Sequence, residues 1–465
     1  MVNVGKLFGT NGVRLEFTKG NYDPGFLVKL AGAVATYVNA GDVLLGFDVR
    51  VTSLPLVGVL YGVLSMYGIN VDVIGPLPTP IHQYLTKAWG YRAGIMVTAS
   101  HNPPHYNGIK LMDSNGVEVS RRVEEEVETI FFNGRYKETV DYRDIGAVRF
   151  INVEEGLRDY RDHLLSIIND EPIRRRGFRI VADFANSVNS IALSYVLRGL
   201  NVKVYSINGH LDGEFPGRNP EPRPENLNVA SRAVVESSAD FGVAYDGDGD
   251  RSLFIDEKGN VIWGDRTGTI LALSMIKNGD KVVTPVSSSV VVKWAVEGAG
   301  GRVIWTRVGS VDVSHKVIEE GALCGFEDNG GFIWPKHHPV RDGVSTTLLM
   351  MKVLSEEKAK LSELNARMPA MLTARERMEM SRDLAGKIVE ALKGRNWGGE
   401  VITIDGLRVN YTDSWFLVRP SGTENLLRVV IEASSSDRFN TLRHEVMNSI
   451  EKELKKYSGV TSNTE

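Results

Sequence analysis

"DVLLGFDVRVTSLPLVGVLYGVLSMYGINVDVIG", residues 42–75, decides the architecture. An apolar strand runs into a Ser-bearing turn, a helix-period segment follows and ends near a glycine, and a second apolar strand closes the unit. The same pattern returns in "FRIVADFANSVNSIALSYVLRGLNVKVYSI" (178–207) and "DKVVTPVSSSVVVKWAVEGAGGRVIWTRVG" (280–309). Each is a βαβ unit. Their strands are nearly continuous Val/Ile runs, which requires helices on both faces of the sheet. Three units spaced about a hundred residues apart predict three related α/β domains with mixed sheets.

The last hundred residues change character. "EVITIDGLRVNY", "SWFLVRPSG" and "LLRVVIEAS" read as strands joined by short turns, and "DRFNTLRHEVMNSIEKELKKY" as a charged amphipathic helix. This predicts a smaller α+β domain, and the polar segment "SEEKAKLSELNARMP" (355–369) marks its border. The expected domains are 1–150, 151–254, 255–366 and 367–465, grouped around a central cleft. A helix over 154–170 links the first two.

At 465 residues the chain is too long for one core. With 42% hydrophobic residues, 24% charged and a net charge of −4, it has no basic field for nucleic acid or an anionic membrane. Its single cysteine, Cys324, excludes an intramolecular disulfide and reads as a buried apolar residue. "MVNVGKLFGTNGVR" carries no apolar signal segment and no stretch approaches the ~20 apolar residues of a membrane span, so a cytoplasmic protein is expected, monomeric or homodimeric.

Four segments carry chemistry. "MVTASHNPPHYNGIK" (96–110) delivers Ser100 at the carboxyl end of an apolar strand, where open α/β sheets bind ligands. Pro103 and Pro104 stiffen the loop just after His101 and Asn102. "NGIKLMDSNGVEVS" reads as a hairpin that returns Lys110 towards the serine. No G-x-S-x-G elbow is present, and neighbouring Ser and His at a strand end are not expected to aim at each other, so a hydrolase triad is disfavoured.

"FGVAYDGDGDRSLFIDEKGN" (241–260) places Asp246, Asp248 and Asp250 at alternate positions between glycines. Carboxylates this close repel one another unless a cation sits among them, and an all-oxygen donor set selects a hard ion, Mg²⁺ or Ca²⁺. With Glu257 the spacing mimics an EF-hand, but Arg251 stands where that loop needs glycine, and strands flank it. "RPSGTENLLRV" (419–429) offers Arg419, Ser421, Gly422 and Thr423, a guanidinium fork with hydroxyls and free N–H groups suited to a phosphate. "GFEDNGGFIW" (325–334) offers Glu327 and Asn329 on a glycine loop, acceptor and donor for a sugar's vicinal hydroxyls. "KHHPVRDG" (336–343) offers His337, His338 and Arg341, of which the paired histidines read as loop-surface residues rather than ligands, and the all-carboxylate aspartate loop gives zinc little support.

Together these segments resemble the α-D-phosphohexomutase superfamily over nearly the whole chain, with "TASHNP…YNGIK" and "DGDGDR" the most specific signatures. The resemblance implies three mixed α/β domains plus a smaller fourth, and a phosphoserine at Ser100. It implies Mg²⁺ held by Asp246, Asp248 and Asp250 together with the Ser100 phosphate, and a transfer site surrounded by His101, Lys110, Arg14 and Arg251. Glu327 and Asn329 would meet the sugar, and Arg419, Ser421, Gly422 and Thr423 its phosphate. Where many members read Glu-x-Ser-Gly-His in the sugar loop, this chain has "EDNGG", with Asn329 for the serine and Gly331 for the histidine. Arg14 is followed by Leu15 where a glycine is common.

The implied activity interconverts hexose 1-phosphate and hexose 6-phosphate of glucose, mannose or glucosamine, through a hexose 1,6-bisphosphate. His101 and Lys110 are the two candidates for the hydroxyl proton. A Mg-dependent phosphosugar phosphatase and a non-catalytic phosphosugar-binding protein are the alternatives.

Overall fold

The structure, a computed structural model, describes residues 7–9, 11–422 and 424–457. In the first βαβ unit, the helix Ser53–Met66 buries Leu56, Val57, Leu60 and Leu64, one stripe at helical spacing. Each such leucine contributes about 2 kcal/mol by leaving water. The flanking strands bury nearly every residue, as a sheet covered on both faces must.

The first sheet contains β1 (Val13–Glu16), β2 (Asp42–Phe47), β3 (Asn70–Ile74), β4 (Ala93–Val97), β5 (Tyr106–Met112) and β6 (Val148–Ile151), in the order β1-β5-β4-β2-β3-β6. β2, β3, β4 and β6 are parallel, and β5 runs against both β4 and β1. The second sheet has β7 (Arg179–Asp183), β8 (Lys203–Ile207), β9 (Phe241–Tyr245), β10 (Ser252–Ile255) and β11 (Val261–Ile262), ordered β11-β10-β9-β7-β8. The third has β12 (Lys281–Pro285), β13 (Arg302–Thr306), β14 (Cys324–Phe326), β15 (Phe332–Trp334) and β16 (His338–Arg341), ordered β13-β12-β14-β15-β16.

These three sheets share one plan. Each has three parallel strands in spatial order 2-1-3, and a fourth strand returns antiparallel beside the third. The Ser100 segment joins β4 to β5, the aspartate loop joins β9 to β10, and the Glu327 loop joins β14 to β15. All three therefore leave the carboxyl end of the same strand of the plan, where no crossover helix covers them.

The last sheet is wholly antiparallel: β17 (Leu372–Glu379), β18 (Glu400–Ile402), β19 (Leu407–Asn410), β20 (Ser414–Pro420) and β21 (Leu426–Ala433), ordered β17-β21-β20-β19-β18. Arg419 lies near the end of β20, and Ser421 and Gly422 follow it on the way to the antiparallel β21. Helices Arg382–Lys393 and Ser436–Tyr457 pack on it through Ile388, Leu392, Leu442, Val446 and Ile450.

Three readings gain detail. "NGIKLMDSNGVEVS" makes a short hairpin-like return rather than two paired strands: Asp113 N donates to the Val117 carbonyl (2.9 Å) and Val119 N to the Leu111 carbonyl (3.0 Å) around the isolated bridge Met112 to Glu118, and Asp113 Oδ1 closes the turn by accepting from Asn115 N and Val117 N. The polar border segment at 355–369 contains the helix Leu361–Ala366, which buries Leu361 and Leu364. "LTARERME" is the strand β17, although its alternating charges hide it, and "EVITIDGLRVNY" is two strands, β18 and β19. Cys324 is fully buried, and burial raises its thiol pKa.

Candidate functional site

The serine segment hangs from one arginine. Arg50, after β2, donates from Nη2 to the carbonyls of Ser100 (2.9 Å) and Asn102 (2.6 Å), and from Nη1 to those of Pro103 (2.7 Å) and Tyr106 (2.8 Å). Its Nε faces Asp48 Oδ2 at 3.2 Å, and its plane lies 4.9 Å over the Phe215 ring. Asp48 also accepts from Thr98 Oγ1 (2.7 Å), and Thr98 Oγ1 accepts from Ser100 N (2.9 Å). Held from both ends, Ser100 adopts φ 50°, a left-handed conformation that costs about 1–3 kcal/mol for a non-glycine residue and persists only when its surroundings fix it.

Ser100 Oγ donates to Asp246 Oδ2 at 2.9 Å, joining the first and second lobes across 146 residues. Asp246, Asp248 and Asp250 are all buried, and one oxygen of each lies within 4.8 Å of the others. Lys110 sits on β5, register partner of Met96 on β4, so the serine's own neighbouring strand delivers it. Its Nζ donates to Asp248 Oδ2 (2.7 Å) and Asp250 Oδ2 (3.2 Å). Thr79 Oγ1 gives Asp248 Oδ2 a further bond at 2.6 Å. Gly249 takes φ 80°, the left-handed turn that folds the aspartate loop back on itself. Within that turn Asp246 Oδ1 accepts from Gly249 N (3.0 Å) and Arg251 N (3.2 Å).

His101 Nδ1 lies 3.3 Å from Ser100 Oγ, so the neighbouring serine and histidine do face each other, contrary to the expectation for adjacent residues. The tight left-handed turn at Ser100 folds the two side chains to one side. Arg14 on β1 donates to the Thr98 carbonyl at 2.8 Å. Arg251 Nε stands 4.0 Å from both Asp246 and Asp250, and its Nη1 3.3 Å from Glu221.

The charges interact strongly. Burial, with Asp250 and Asp248 beside it, pushes the Asp246 carboxyl well above its ordinary range. Asp248 goes the other way: burial opposes its ionisation, but Lys110, Thr79 and Arg14 outweigh it. Burial works to lower Lys110, yet Asp248 and Asp250 prevail and raise it. His101 falls well below its usual value through burial and the cations Arg251 and Arg14. Burial brings Arg14 down to about 10.

The donor set suits a hard cation. Its ligands are oxygens only, and Asp248 Oδ1 and Asp250 Oδ1 are buried without a hydrogen-bond partner among the described residues. Buried carboxylate oxygens without hydrogen-bond donors fit a positively charged ligand.

Glu327 and Asn329 bond to each other, Asn329 Nδ2 donating to Glu327 Oε2 at 2.8 Å. Arg341 links them to the trio: its Nη2 lies 2.5 Å from Asp250 Oδ2 and its Nη1 3.7 Å from Glu327 Oε1. Arg341, His337 and His338 are all buried, so the surface reading of the paired histidines fails. His337 stacks on Tyr84 of the first lobe and meets Asp342 at 3.1 Å, while His338 reaches the Gly116 carbonyl at 3.3 Å. A lobe junction, invisible in local sequence, buries both histidines.

In the last lobe Arg419 pairs with Asp405 at 2.9 Å rather than with the trio, and Ser421 Oγ accepts from Glu424 N at 3.2 Å. Gly422 lies in the same turn, and Thr423 lies outside the described residues. Arg375 on β17 reaches Asp328 of the Glu327 loop at 2.6 Å, which ties this lobe to the third. Sequence reading missed Arg50 and Thr79, which act through main-chain carbonyls and a distant carboxylate, and it set Arg341 aside.

Three equivalent turns and one antiparallel turn carrying these side chains on a four-lobed α/β chain are the layout of an α-D-phosphohexomutase. Family models described as phosphoglucomutase/phosphomannomutase alpha/beta/alpha domains I, II and III match residues 5–138, 158–259 and 263–371, and the C-terminal domain model matches 350–449. A phosphoglucosamine/phosphogalactosamine mutase of Sulfurisphaera tokodaii is 39% identical over 96% of this chain and 100% of its own. A phosphoglucomutase/phosphomannomutase family protein of Burkholderia thailandensis superposes with a TM-score of 0.85 at 24% identity, over 96% of this chain and 97% of that one. An N-acetylphosphoglucosamine mutase of Aspergillus fumigatus, solved with GlcNAc-6P and magnesium, shares the fold at a TM-score of 0.62 and 17% identity, over 97% and 96%. The chain belongs to the phosphoglucomutase/phosphomannomutase family, and it is an enzyme of the mutase class. No helix among the described residues is long and apolar enough to cross a membrane.

Proposed function

We propose that the chain interconverts hexose 1-phosphate and hexose 6-phosphate through a phosphorylated Ser100 and a hexose 1,6-bisphosphate. The observation that supports this most directly is the 2.9 Å bond from Ser100 Oγ to Asp246, in a cluster that also holds Lys110. A serine hydroxyl has little reason to be buried against a carboxylate trio unless a phosphoryl group and a cation meet there.

Asp246, Asp248 and Asp250 are the residues that would hold Mg²⁺, which supplies neutralisation of the transferring phosphate. Arg14, Arg251 and Lys110 add fixed positive charge around the same point. The phosphoryl group leaves Ser100 Oγ and bonds to the free hydroxyl of the hexose phosphate. His101, held neutral near pH 7, accepts the proton that this hydroxyl loses, while Lys110, held protonated, serves as a cation. After the bisphosphate turns over in the cleft, its other phosphate returns to Ser100 and the proton goes back to the product oxygen.

Glu327 and Asn329 meet the sugar hydroxyls. Arg419, Ser421 and the backbone at Gly422, with Thr423, grip the distal phosphate. Glucosamine phosphate heads the candidate sugars, on the strength of the Sulfurisphaera relative's name.

Intact-mass measurement and a coupled assay on wild type and Ser100→Ala test this reading. Wild type is expected to gain one phosphate from hexose 1,6-bisphosphate and to interconvert the isomers with little release of inorganic phosphate. Ser100→Ala is expected to do neither. Undiminished interconversion by that variant rejects the nucleophile, and steady phosphate release by wild type rejects the mutase in favour of a phosphatase.

A further inference from the structure

Gly331 and Arg341 compete for one volume. A Cβ built on Gly331 would overlap Cδ of Arg341 and come within 3.1 Å of its Cγ. The arginine stem thus lies over the glycine, on the strand that pairs with β15. Its far end reaches Asp250 Oδ2 at 2.5 Å, and Arg341 is only 5% exposed.

On its other side the geometry is looser. Nη1 stands 3.7 Å from Glu327 Oε1, too far for a hydrogen bond, and that oxygen is buried with no hydrogen-bond partner among the described residues. An unpaired acceptor facing a guanidinium across such a gap fits a group that both donates and accepts. A sugar hydroxyl is such a group: it accepts from Nη1 and donates to Oε1.

We propose that Arg341 is a sugar-binding residue of this chain, placed in the volume that glycine at 331 leaves open, and that one substrate hydroxyl bridges it to Glu327. Its anchor on Asp250 fixes its position relative to the carboxylate trio, so the sugar is located by the same side chain that touches the trio. The inference rests on the reading that loop 327–331 meets the sugar of a hexose phosphate.

The test uses the full chain with Arg341→Ala, Arg341→Lys, Gly331→Ala and the double variant Gly331→Ala/Arg341→Ala, assayed with hexose 6-phosphate and its 2-, 3- and 4-deoxy analogues. Arg341→Ala is expected to raise KM roughly tenfold, the equivalent of one hydrogen bond to a charged group, with a smaller change in kcat. Arg341→Lys is expected to restore part of it, and it carries the test should the alanine variant fail to fold.

For one deoxy analogue the penalty of Arg341→Ala is expected to vanish, an effect that a merely structural arginine would not produce. Gly331→Ala is expected to impair wild type and to add far less in the Arg341→Ala background, where only the 3.3 Å approach to Asn329 Oδ1 remains. An unchanged KM in both Arg341 variants, equal penalties with all the analogues, or a Gly331→Ala penalty undiminished in the Arg341→Ala background would each overturn the inference. A wild-type chain that interconverts no hexose phosphate instead ends the functional reading beneath it.

Discussion

Arg50 illustrates how a residue can govern chemistry without touching it. Its fork holds four carbonyls of the reacting segment, and Asp48 neutralises it in a buried site. Lysine keeps the charge but offers a single ammonium where a planar fork is needed. We expect Arg50→Lys to lower kcat/KM by about 10²-fold with hexose phosphate, the penalty for shifting a reacting group by about 1 Å. KM is expected to move little, so steady-state kinetics separates misplacement from lost binding. At this scale the sequence revealed the groups whose own chemistry is unusual: a serine beside stiffening prolines, and three alternating aspartates. It did not reveal Arg50, whose partners are main-chain carbonyls up to 56 residues away and leave no residue-type signature. Nor did it separate His101 from Lys110, because the burial of both and the charges that drive them apart, Arg251, Asp248 and Asp250 of the second lobe and Arg14 of β1, are distant in the chain.

At the scale of elements, periodicity was readable wherever a strand or helix buries one continuous face. The three βαβ units, their parallel strands and the turns at the strand ends all obey that rule. β17 escaped because its residues alternate in charge and exposure at the edge of its sheet, and only pairing with β21 makes it a strand. The strand β19 carries a feature that periodicity also hides. Arg408 is completely buried between the rings of Trp305 and Trp415, 4.0 and 3.9 Å from their centroids. Its Nη1 donates to the carbonyls of Val286 (2.7 Å) and Ser288 (2.5 Å) in the third lobe. Ser289 Oγ reinforces this seam by donating to Glu432 at 2.6 Å. Truncating Arg408 strands two buried carbonyls and removes two cation–π contacts, so Arg408→Ala is expected to destabilise the chain by about 4 kcal/mol. The loss belongs to the seam between the third and last lobes. Denaturant unfolding is expected to show an earlier transition for the last lobe, and an unshifted single transition would contradict the seam's role.

Across the whole molecule, buried neutral histidines make cohesion depend on pH, and one of them joins two lobes. His338 of the third lobe reaches the Gly116 carbonyl of the first, and burial, with His337 beside it, holds its pKa down to about 3. His82 packs under β2 against the Leu44 carbonyl, and burial brings it to about 4. In each case the folded value lies below the unfolded one near 6.5. The unfolded chain therefore takes up a proton that the folded chain refuses, and the stability these groups carry, complete above pH 6.5, is lost as pH falls. Each group removes about 1.4 kcal/mol per pH unit, or about 3 kcal/mol between pH 6.5 and 4. Total stability does not report this cleanly, because Asp265, raised to about 6 by burial and by Asp328 and Glu432, works in the opposite direction: its folded form keeps a proton that the unfolded chain releases. A comparison of variants isolates the histidine. His338→Gln keeps a donor for Gly116 and has nothing to titrate, so it is expected to be less stable than wild type at pH 7.5 through imperfect packing. It should gain on wild type by about 3 kcal/mol between pH 6.5 and 4 in urea unfolding. A difference that stays constant over that range would mean that His338 takes up its proton in the folded state as readily as in the unfolded one, and that the junction of the first and third lobes admits a charge.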